Sequence, residues 1–267
     1  MKAGFIGGGN MGGALIRAVA EATDAADIAV YDPDAVKVEI LCRNCGVKAA
    51  TAEEIAEKAA FVILAVKPQV MAAALLPIQK ILAARKTPFT LVTIAAGISI
   101  AAFRGMAGGD YPVVRLMPNT PAMVGEGMIL LSSAGVSEMT LTDCKGLLSH
   151  AGKVDAVPEE MIDAGGALSG CGPAYVCLFA EALADGAVTC GLSRAKARLY
   201  AAQTLLGTAK MLLDTESHPG ELKDAVCSPG GTTIAGVRAL EEHAFRAAAA
   251  DAVVAAYEKT LAMKNGK

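Results

Sequence analysis

At 267 residues the chain is long enough for two domains or one large one, and with 54% hydrophobic but only 4% aromatic residues and no Trp its core must be built from Ala, Val, Ile and Leu. A formal net charge of -3, without any Lys- or Arg-rich run, leaves no electrostatic footprint for nucleic acid or an anionic membrane. Seven scattered Cys and three distant His supply no disulfide framework, no metal-ligand spacing and no hydrolase triad, so reduced, mostly buried thiols are expected and metal binding is not.

Ala3 to Gly7 is a short apolar run that passes at once into Gly7-Gly8-Gly9-Asn10-Met11-Gly12, after which Ala14, Leu15, Ala18 and Val19 recur at helical spacing. The pattern predicts a strand, a glycine turn and a helix. Gly7, Gly9 and Gly12 fill a GxGxxG loop, one for the tight turn, one for access of a pyrophosphate to the backbone and one for close packing of helix on strand. Ile6 to Gly12 is therefore a candidate dinucleotide site, against the plainer reading of a glycine-rich turn. The same glycines break the apolar run too early for a signal peptide, and the expected compartment is the cytoplasm.

A second strand, Ile28 to Tyr31, ends at Asp32, 20 residues after Gly12. An acidic side chain there bonds the adenosine ribose hydroxyls of NAD and repels a ribose phosphate; alternatively, with Pro33 following, Asp32 starts the next helix. NADPH and NADH both stay open as cofactor.

A helix over Ala35 to Cys45, a short strand at Val47 to Ala49, and Thr51 with Glu54 as a capping box for the next helix continue the alternation of a doubly wound sheet. Cys42 and Cys45 form a CxxC with no second pair. Phe61 to Val66 reads as a buried parallel strand ending at Lys67-Pro68, and Phe89 to Ala95 as another ending at Ala96-Gly97, with Ser99 as N-cap of the following helix. Ligands of open parallel sheets lie beyond the carboxyl ends of the strands, which assigns Ala65, Val66, Lys67 and Pro68, and Ala95, Ala96 and Gly97, to the cofactor groove; simple strand termination is the alternative. After a strand over Val113 to Met117, two prolines stiffen Pro118-Asn119-Thr120-Pro121-Ala122 and would hold Asn119 and Thr120 against a ligand, Asn119 against the cofactor; plain turn chemistry is the alternative. Gly127 to Ser132, a helix from Thr140 to His150 ended by Gly152, and Lys153 to Val157 complete a dinucleotide-binding domain over residues 1–157.

From Pro158 the strand signals cease and residues 158–267 read as an all-helical domain. Pro173 starts a long helix ending at Gly191, Ser193 caps another running to about Thr215, and a last helix spans Phe245 to Met263. The long uncharged stretch Ala164 to Ala180 is interrupted by glycines and Pro173 and falls short of the ~20 apolar residues of a membrane span. The apolar faces of these helices exceed what one chain buries, which predicts a homodimer. Between the long helices, Pro219 opens a short helix that breaks at Ser228-Pro229-Gly230-Gly231, and helical spacing resumes at Thr232. Free amides at that helix start, two glycines and the hydroxyls of Thr232 and Thr233 would hold a carboxylate; an N-cap with a tight turn is the plainer reading.

Along nearly its whole length the chain resembles the pyrroline-5-carboxylate reductases, on GFIGGGNMG, LAVKPQ, RLMPNTPA, ALSGCGPAYV, ADGAVTCGL, LLGTAKMLL and, most specifically, HPGELKDAVCSPGGTTIAGVRALE. The resemblance implies α/β architecture, with an N-terminal Rossmann domain of mostly parallel sheet and a C-terminal helical domain that interlocks two subunits, dimers often joining into decamers. It implies reduction of 1-pyrroline-5-carboxylate to L-proline by NADPH or NADH. Ser228, Gly230, Gly231, Thr232 and Thr233 would bind substrate, Thr233 would bond the ring nitrogen, and Glu216 would be an acidic neighbour of that site. Two positions depart from the family: Cys171 stands where serine is usual, and Asp32 where NADPH-using members tend to carry small hydroxyl residues. Two other readings compete. A beta-hydroxyacid dehydrogenase would call for a lysine early in the helical domain, and there is none between Lys153 and Lys196; a non-catalytic dinucleotide sensor would not need the Ser228 to Thr233 loop.

Overall fold

The computed structural model describes residues 1–264; positions 265–267 of the expected helical domain lie outside them. Eight strands, β1 (Ala3–Ile6), β2 (Ile28–Tyr31), β3 (Lys48–Ala49), β4 (Phe61–Leu64), β5 (Thr90–Thr93), β6 (Val113–Met117), β7 (Gly127–Ala134) and β8 (Gly152–Ala156), form one sheet in the order β3-β2-β1-β4-β5-β6-β7-β8. Every neighbouring pair is parallel except β6 with β7. The chain builds outward from β1 in one direction and from β4 in the other, so the order reverses between β1 and β4. A crevice at the strand ends is the usual consequence of that reversal.

Among the strands run α1 (Asn10–Ala22), α2 (Ala35–Cys45), α3 (Ala52–Lys58), α4 (Met71–Leu75), α5 (Gln79–Ala84), α6 (Ile100–Ala107) and α7 (Glu138–Leu147). Apart from its edge strands β3 and β8, the sheet is largely buried on both faces. Phe61 and Ile63 of β4 join Leu15 and Val19 of α1 in one core, while Val62 and Leu64 join Ile55 of α3 and Phe103 of α6 in the other. That period of two explains why β4 reads as an unbroken apolar run: each face meets helices, so neither set of side chains is free to be polar. The predicted caps form. Thr51 Oγ1 accepts from Glu54 N at 3.1 Å while Glu54 returns the bond to Thr51 N at 3.0 Å, and Ser99 Oγ accepts from Ala102 N at 3.1 Å.

Several boundaries shift. The β4 strand stops at Leu64 and β5 spans only Thr90–Thr93, because Ala65, Val66 and Ile94 pack on the cores from loop positions. Gly152 opens β8 instead of closing α7: its φ is 132°, and a Cβ there would lie 2.0 Å from the Gly127 carbonyl oxygen.

The remaining helices are α8 (Ile162–Ser169), α9 (Gly172–Thr189), α10 (Arg194–Thr215), α11 (Pro219–Ala225), α12 (Thr232–Glu242) and α13 (Phe245–Lys264). The chain divides into two compact units, one of residues Met1–Cys171 with the segment from Ala256 onward, the other Gly172–Ala255. Helical structure thus begins after Pro158 as expected, while α8 belongs with the sheet. In the second unit α9 meets α10 through Ala184, Ala197 and Ala201, small residues that permit close approach, and meets α13 through Tyr175 Oη donating to Ala252 O at 3.1 Å and Phe179 against Phe245 at 5.3 Å between ring centroids. That core is thin. No residue of α11, α12 or α13 is buried, and Leu178 and Leu199 are 69% and 64% exposed.

Two expectations need correction. Helix forms on either side of a turn at Gly170-Cys171 in spite of Gly165, Gly166, Gly172 and Pro173, and the stretch Glu159–Thr189 is by length and composition apolar enough to cross a membrane; a glycine costs a helix only about 1 kcal/mol, too little to break one held by its neighbours. The thiols are free but not mostly buried: of the seven only Cys144 is, and Cys177 on α9, with Cys171 and Cys190 in the turns at its two ends, lie exposed.

Candidate active site

Three loops leave the sheet at the same edge, because β1, β4 and β5 are adjacent and parallel. From β1 the chain turns at Gly7, whose φ of 112° is closed to other residues and whose Cβ would meet the Ala65 carbonyl oxygen at 2.4 Å. Gly12 lies so close beneath the turn that a Cβ would fall 2.4 Å from the Gly7 oxygen. Gly9, the N-cap of α1, has nothing within 4 Å of the position its Cβ would take, and no side chain caps the helix. The first amides of α1, at Asn10, Met11 and Gly12, therefore have no intrahelical acceptor and open onto free space at the positive end of the helix. These are the conditions that a dinucleotide pyrophosphate requires, and the residues fit it. Ile6, which precedes the turn, is buried at the end of β1 and serves as its floor.

Asp32 sits beside this loop. Its Oδ2 accepts from Gly8 N at 2.7 Å and its Oδ1 from Asp34 N at 2.9 Å. The helix-start role belongs to Asp34, whose Oδ1 accepts from Val36 N at 3.1 Å as the N-cap of α2. Of the other expected cofactor residues, Ala65 and Val66 are half-buried and Lys67 is exposed as the N-cap of a 3-10 turn that Pro68 opens. Ala95 is buried with its amide on Thr93 Oγ1 at 3.2 Å, Ala96 is exposed, and Gly97 turns the chain at φ 76°. Asn119 is different. Its Nδ2 donates to Ser169 O and its Oδ1 accepts from Met128 N, both at 2.9 Å, and the residue is only 8% exposed. The side chain thus tethers the proline loop to α8 and β7.

Sequence reasoning missed the support beneath these loops. Arg115 of β6, 1% exposed, donates to Asp163 Oδ1 at 2.8 Å and to Glu159 Oε1 at 3.1 Å; Lys264 pairs with the other oxygen of Asp163. Glu159 Oε1 also accepts from Ile100 N at 2.6 Å, which holds the start of α6 and hence the loop before it. A lone Arg in the apolar run VVRLM was the only visible signal, and its acidic partners lie more than forty residues away in sequence.

The expected substrate residues belong to the other unit. Pro219 takes the first position of α11, and His218 Nδ1 caps that helix by accepting from Gly220 N at 3.0 Å, a role not foreseen for this His. After α11 the Gly231 amide folds back on Ser228 O at 3.0 Å, and Gly230 supplies a left-handed φ of 68°. Gly231 is the N-cap of α12 and has no side chain to cap it, so the amides of Thr232 and Thr233 stay available beside two exposed hydroxyls. A side chain on Gly231 would put its Cβ 2.3 Å from Ser228 Oγ. Glu216 closes α10 at φ 53°, a conformation that costs a residue with a Cβ ~1 kcal/mol or more and clusters at functional sites. Among the described residues no three His, Cys, Asp or Glu side chains gather as a metal-binding group.

Comparison with known proteins decides the family. Residues 159–263 match the family described as pyrroline-5-carboxylate reductase dimerisation, and residues 2–97 match that described as NADP oxidoreductase, coenzyme F420-dependent. A pyrroline-5-carboxylate reductase of Escherichia coli is 41% identical over 263 residues, 97% of either chain. The chain belongs to the pyrroline-5-carboxylate reductase family. Solved structures agree: the reductase of Coxiella burnetii superposes with a TM-score of 0.90 at 32% identity over 97% of both chains. That of Plasmodium falciparum, with NADP bound, gives 0.86 at 33% identity over 99% of this chain and 98% of its own. In this chain the cradle of α1 is open and the start of α12 is uncapped by any side chain.

Proposed function

We propose that this reductase converts 1-pyrroline-5-carboxylate to L-proline, the last step of proline synthesis, with the substrate held at the start of α12. The observation that carries the assignment of the site is the bare N-terminus of α12, where two amides and two hydroxyls stand together without an internal partner. Bound NAD(P)H supplies the hydride that reduces the imine carbon. Ile6 to Gly12, Ala65 to Pro68 and Ala95 to Gly97 would hold it, with Asp32 beside the ribose; Asn119 acts by fixing the loop that follows β6.

The chain's own work is then to bind and orient. The substrate carboxylate lies against the amides of Thr232 and Thr233, stabilised by the partial positive charge of the helix end, while Gly231, its own amide bonded to Ser228 O, lets the ligand approach the backbone. Ser228 and Gly230 shape the turn that presents them. The Thr233 hydroxyl bonds the ring nitrogen, and Glu216 sits near as an acidic neighbour. Cyclic imines are basic enough to be protonated readily, so an oriented hydroxyl in a dry pocket suffices where a reluctant electrophile would need a strong acid. This fits a loop that contains neither His nor Lys between Ser228 and Thr233.

The bare surfaces of α11 to α13 support burial against a second subunit. The apolar stretch Glu159–Thr189 is read the same way, as covered by protein and not lipid, in a cytoplasmic enzyme without nucleic-acid partners. Residues 1–157 and 158–267 are its functional divisions, for cofactor and for substrate and dimerisation. Dimers joining into a decamer are the further step, and sedimentation showing a dimer alone would remove it. The activity itself is tested by following NAD(P)H absorbance with pyrroline carboxylate; binding of the cofactor without its oxidation refutes the assignment.

A further inference from the structure

The end of β2 carries a charge arrangement that the glycine loop itself does not need. Tyr31 O accepts from Gly7 N at 2.7 Å, so the residue after it is held against the turn of β1. That residue is Asp32, its side chain 10% exposed. Both of its oxygens are gripped by main-chain donors, Gly8 N and Asp34 N, so the carboxylate can neither swing into solvent nor make room. In this class of sheet the adenosine ribose of a dinucleotide lies beside the end of the second strand.

We propose that Asp32 makes this enzyme select NADH over NADPH, by holding a fixed negative charge where the adenosine ribose binds. The inference rests on the reductase reading above and deepens it. A carboxylate has about four lone-pair sites, and two are used within the protein, which leaves two for the hydroxyls of an unphosphorylated ribose. A 2′-phosphate brings no donor at neutral pH and about -1.5 to -2 of charge. The basic group beside the carboxylate does not reverse the balance. Lys37 Nζ lies 3.9 Å from Asp32 Oδ1 and 3.4 Å from Asp34 Oδ2, so one ammonium, 48% exposed and shielded by water, stands against two acids. A phosphate would have to take Lys37 from both. The relative from Plasmodium falciparum was solved with NADP bound, so the inference separates this chain from that relative.

The test is equilibrium binding to the purified full chain, read from the emission of the reduced nicotinamide at about 0.1 M salt; the chain has no Trp to obscure it. NADH is expected to bind at least about tenfold more tightly than NADPH, and Asp32→Asn, which keeps the size and an acceptor for Gly8 N, to bring the ratio below about threefold mainly by improving NADPH. Asp32→Ser, smaller and uncharged, should do the same. Three results overturn the proposal: wild-type protein that binds NADPH as tightly as NADH, protein that binds neither, or an Asp32→Asn variant that weakens both while keeping their ratio, which would make Asp32 only a pin for Gly8. The function is judged separately. If pyrroline carboxylate is turned over but the two cofactors bind alike, only the preference fails; if the binding ratio holds and no imine is reduced with either, only the function fails.

Discussion

Replacing Gly12 by alanine isolates the contact on which the cofactor cradle depends. Gly12 has helical backbone in the first turn of α1, so conformation alone favours alanine, by about 1 kcal/mol. Space does not. The new Cβ would stand 2.4 Å from the Gly7 oxygen and 3.1 Å from Ala65 Cβ, and ordinary contact needs roughly 1 Å more. Gly7 cannot retreat, because its amide is bonded to Tyr31 O at 2.7 Å and its Cα already faces the Ala65 carbonyl, so the start of α1 must lift. Overpacking of this kind costs about 1–3 kcal/mol. If that strain falls on the bound state, affinity for NADH or NADPH drops about 5- to 150-fold, at about 1.4 kcal/mol per decade. Gly9→Ala is the counterpart, since nothing stands within 4 Å of its Cβ position: the methyl would take up only the space that the ligand needs, and binding should weaken with the melting temperature unchanged. Nucleotide fluorescence titration and thermal unfolding separate the two. A Gly12→Ala protein that binds within about twofold of wild type at unaltered melting temperature would refute this account of the loop.

Thr233→Ala should cut turnover of pyrroline carboxylate by about tenfold or more while cofactor affinity holds, since one oriented hydrogen bond at a reacting centre is worth a few kcal/mol; an unaltered kcat would move the role elsewhere. Arg115→Met takes the guanidinium from Asp163, which keeps Lys264, and from Glu159, which keeps the Ile100 amide, and should cost about 1.5–3 kcal/mol in denaturant unfolding; a loss below about 1 kcal/mol would show the network to be dispensable. Burial pushes the Cys144 thiol up to about 12 from its ordinary 9.0. The folded chain therefore holds that proton more tightly than the unfolded chain, and its stability should fall with a slope of up to about 1.4 kcal/mol per pH unit between those two values. Cys144→Ala should flatten this part of the alkaline unfolding profile, and an unchanged slope would assign the loss to other groups.

Local chemistry was readable without coordinates because it depends on neighbours in sequence. Strand β2, helix α2, the Thr51 and Glu54 box, the Ser99 cap, and the restart of helix at Thr232 are each decided within a few residues, and they lie where the pattern put them. Strand ends were harder: the apolar run Phe61 to Val66 outlasts its ladder, since a side chain packs on a core whether or not its backbone is paired. The bonds of the Asn119 side chain were hidden for a related reason. Its residue type and stiff loop suited a ligand, but its partners, Ser169 and Met128, come together only when α8 and β7 fold beside β6.

The amino-acid order by itself determined the alternation of strands and helices, the glycine turn before α1, the break before α12 and the family, because each is written in spacing along the chain. What only the tertiary structure decided was pairing at a distance. The Arg115, Glu159, Asp163 and Lys264 cluster draws on separate elements. The carboxylate of Asp32 is committed by a bond to Gly8, 24 positions earlier. Coulomb attraction and hydrogen bonding depend on separation in space, and separation in sequence does not carry that information until the sheet has closed.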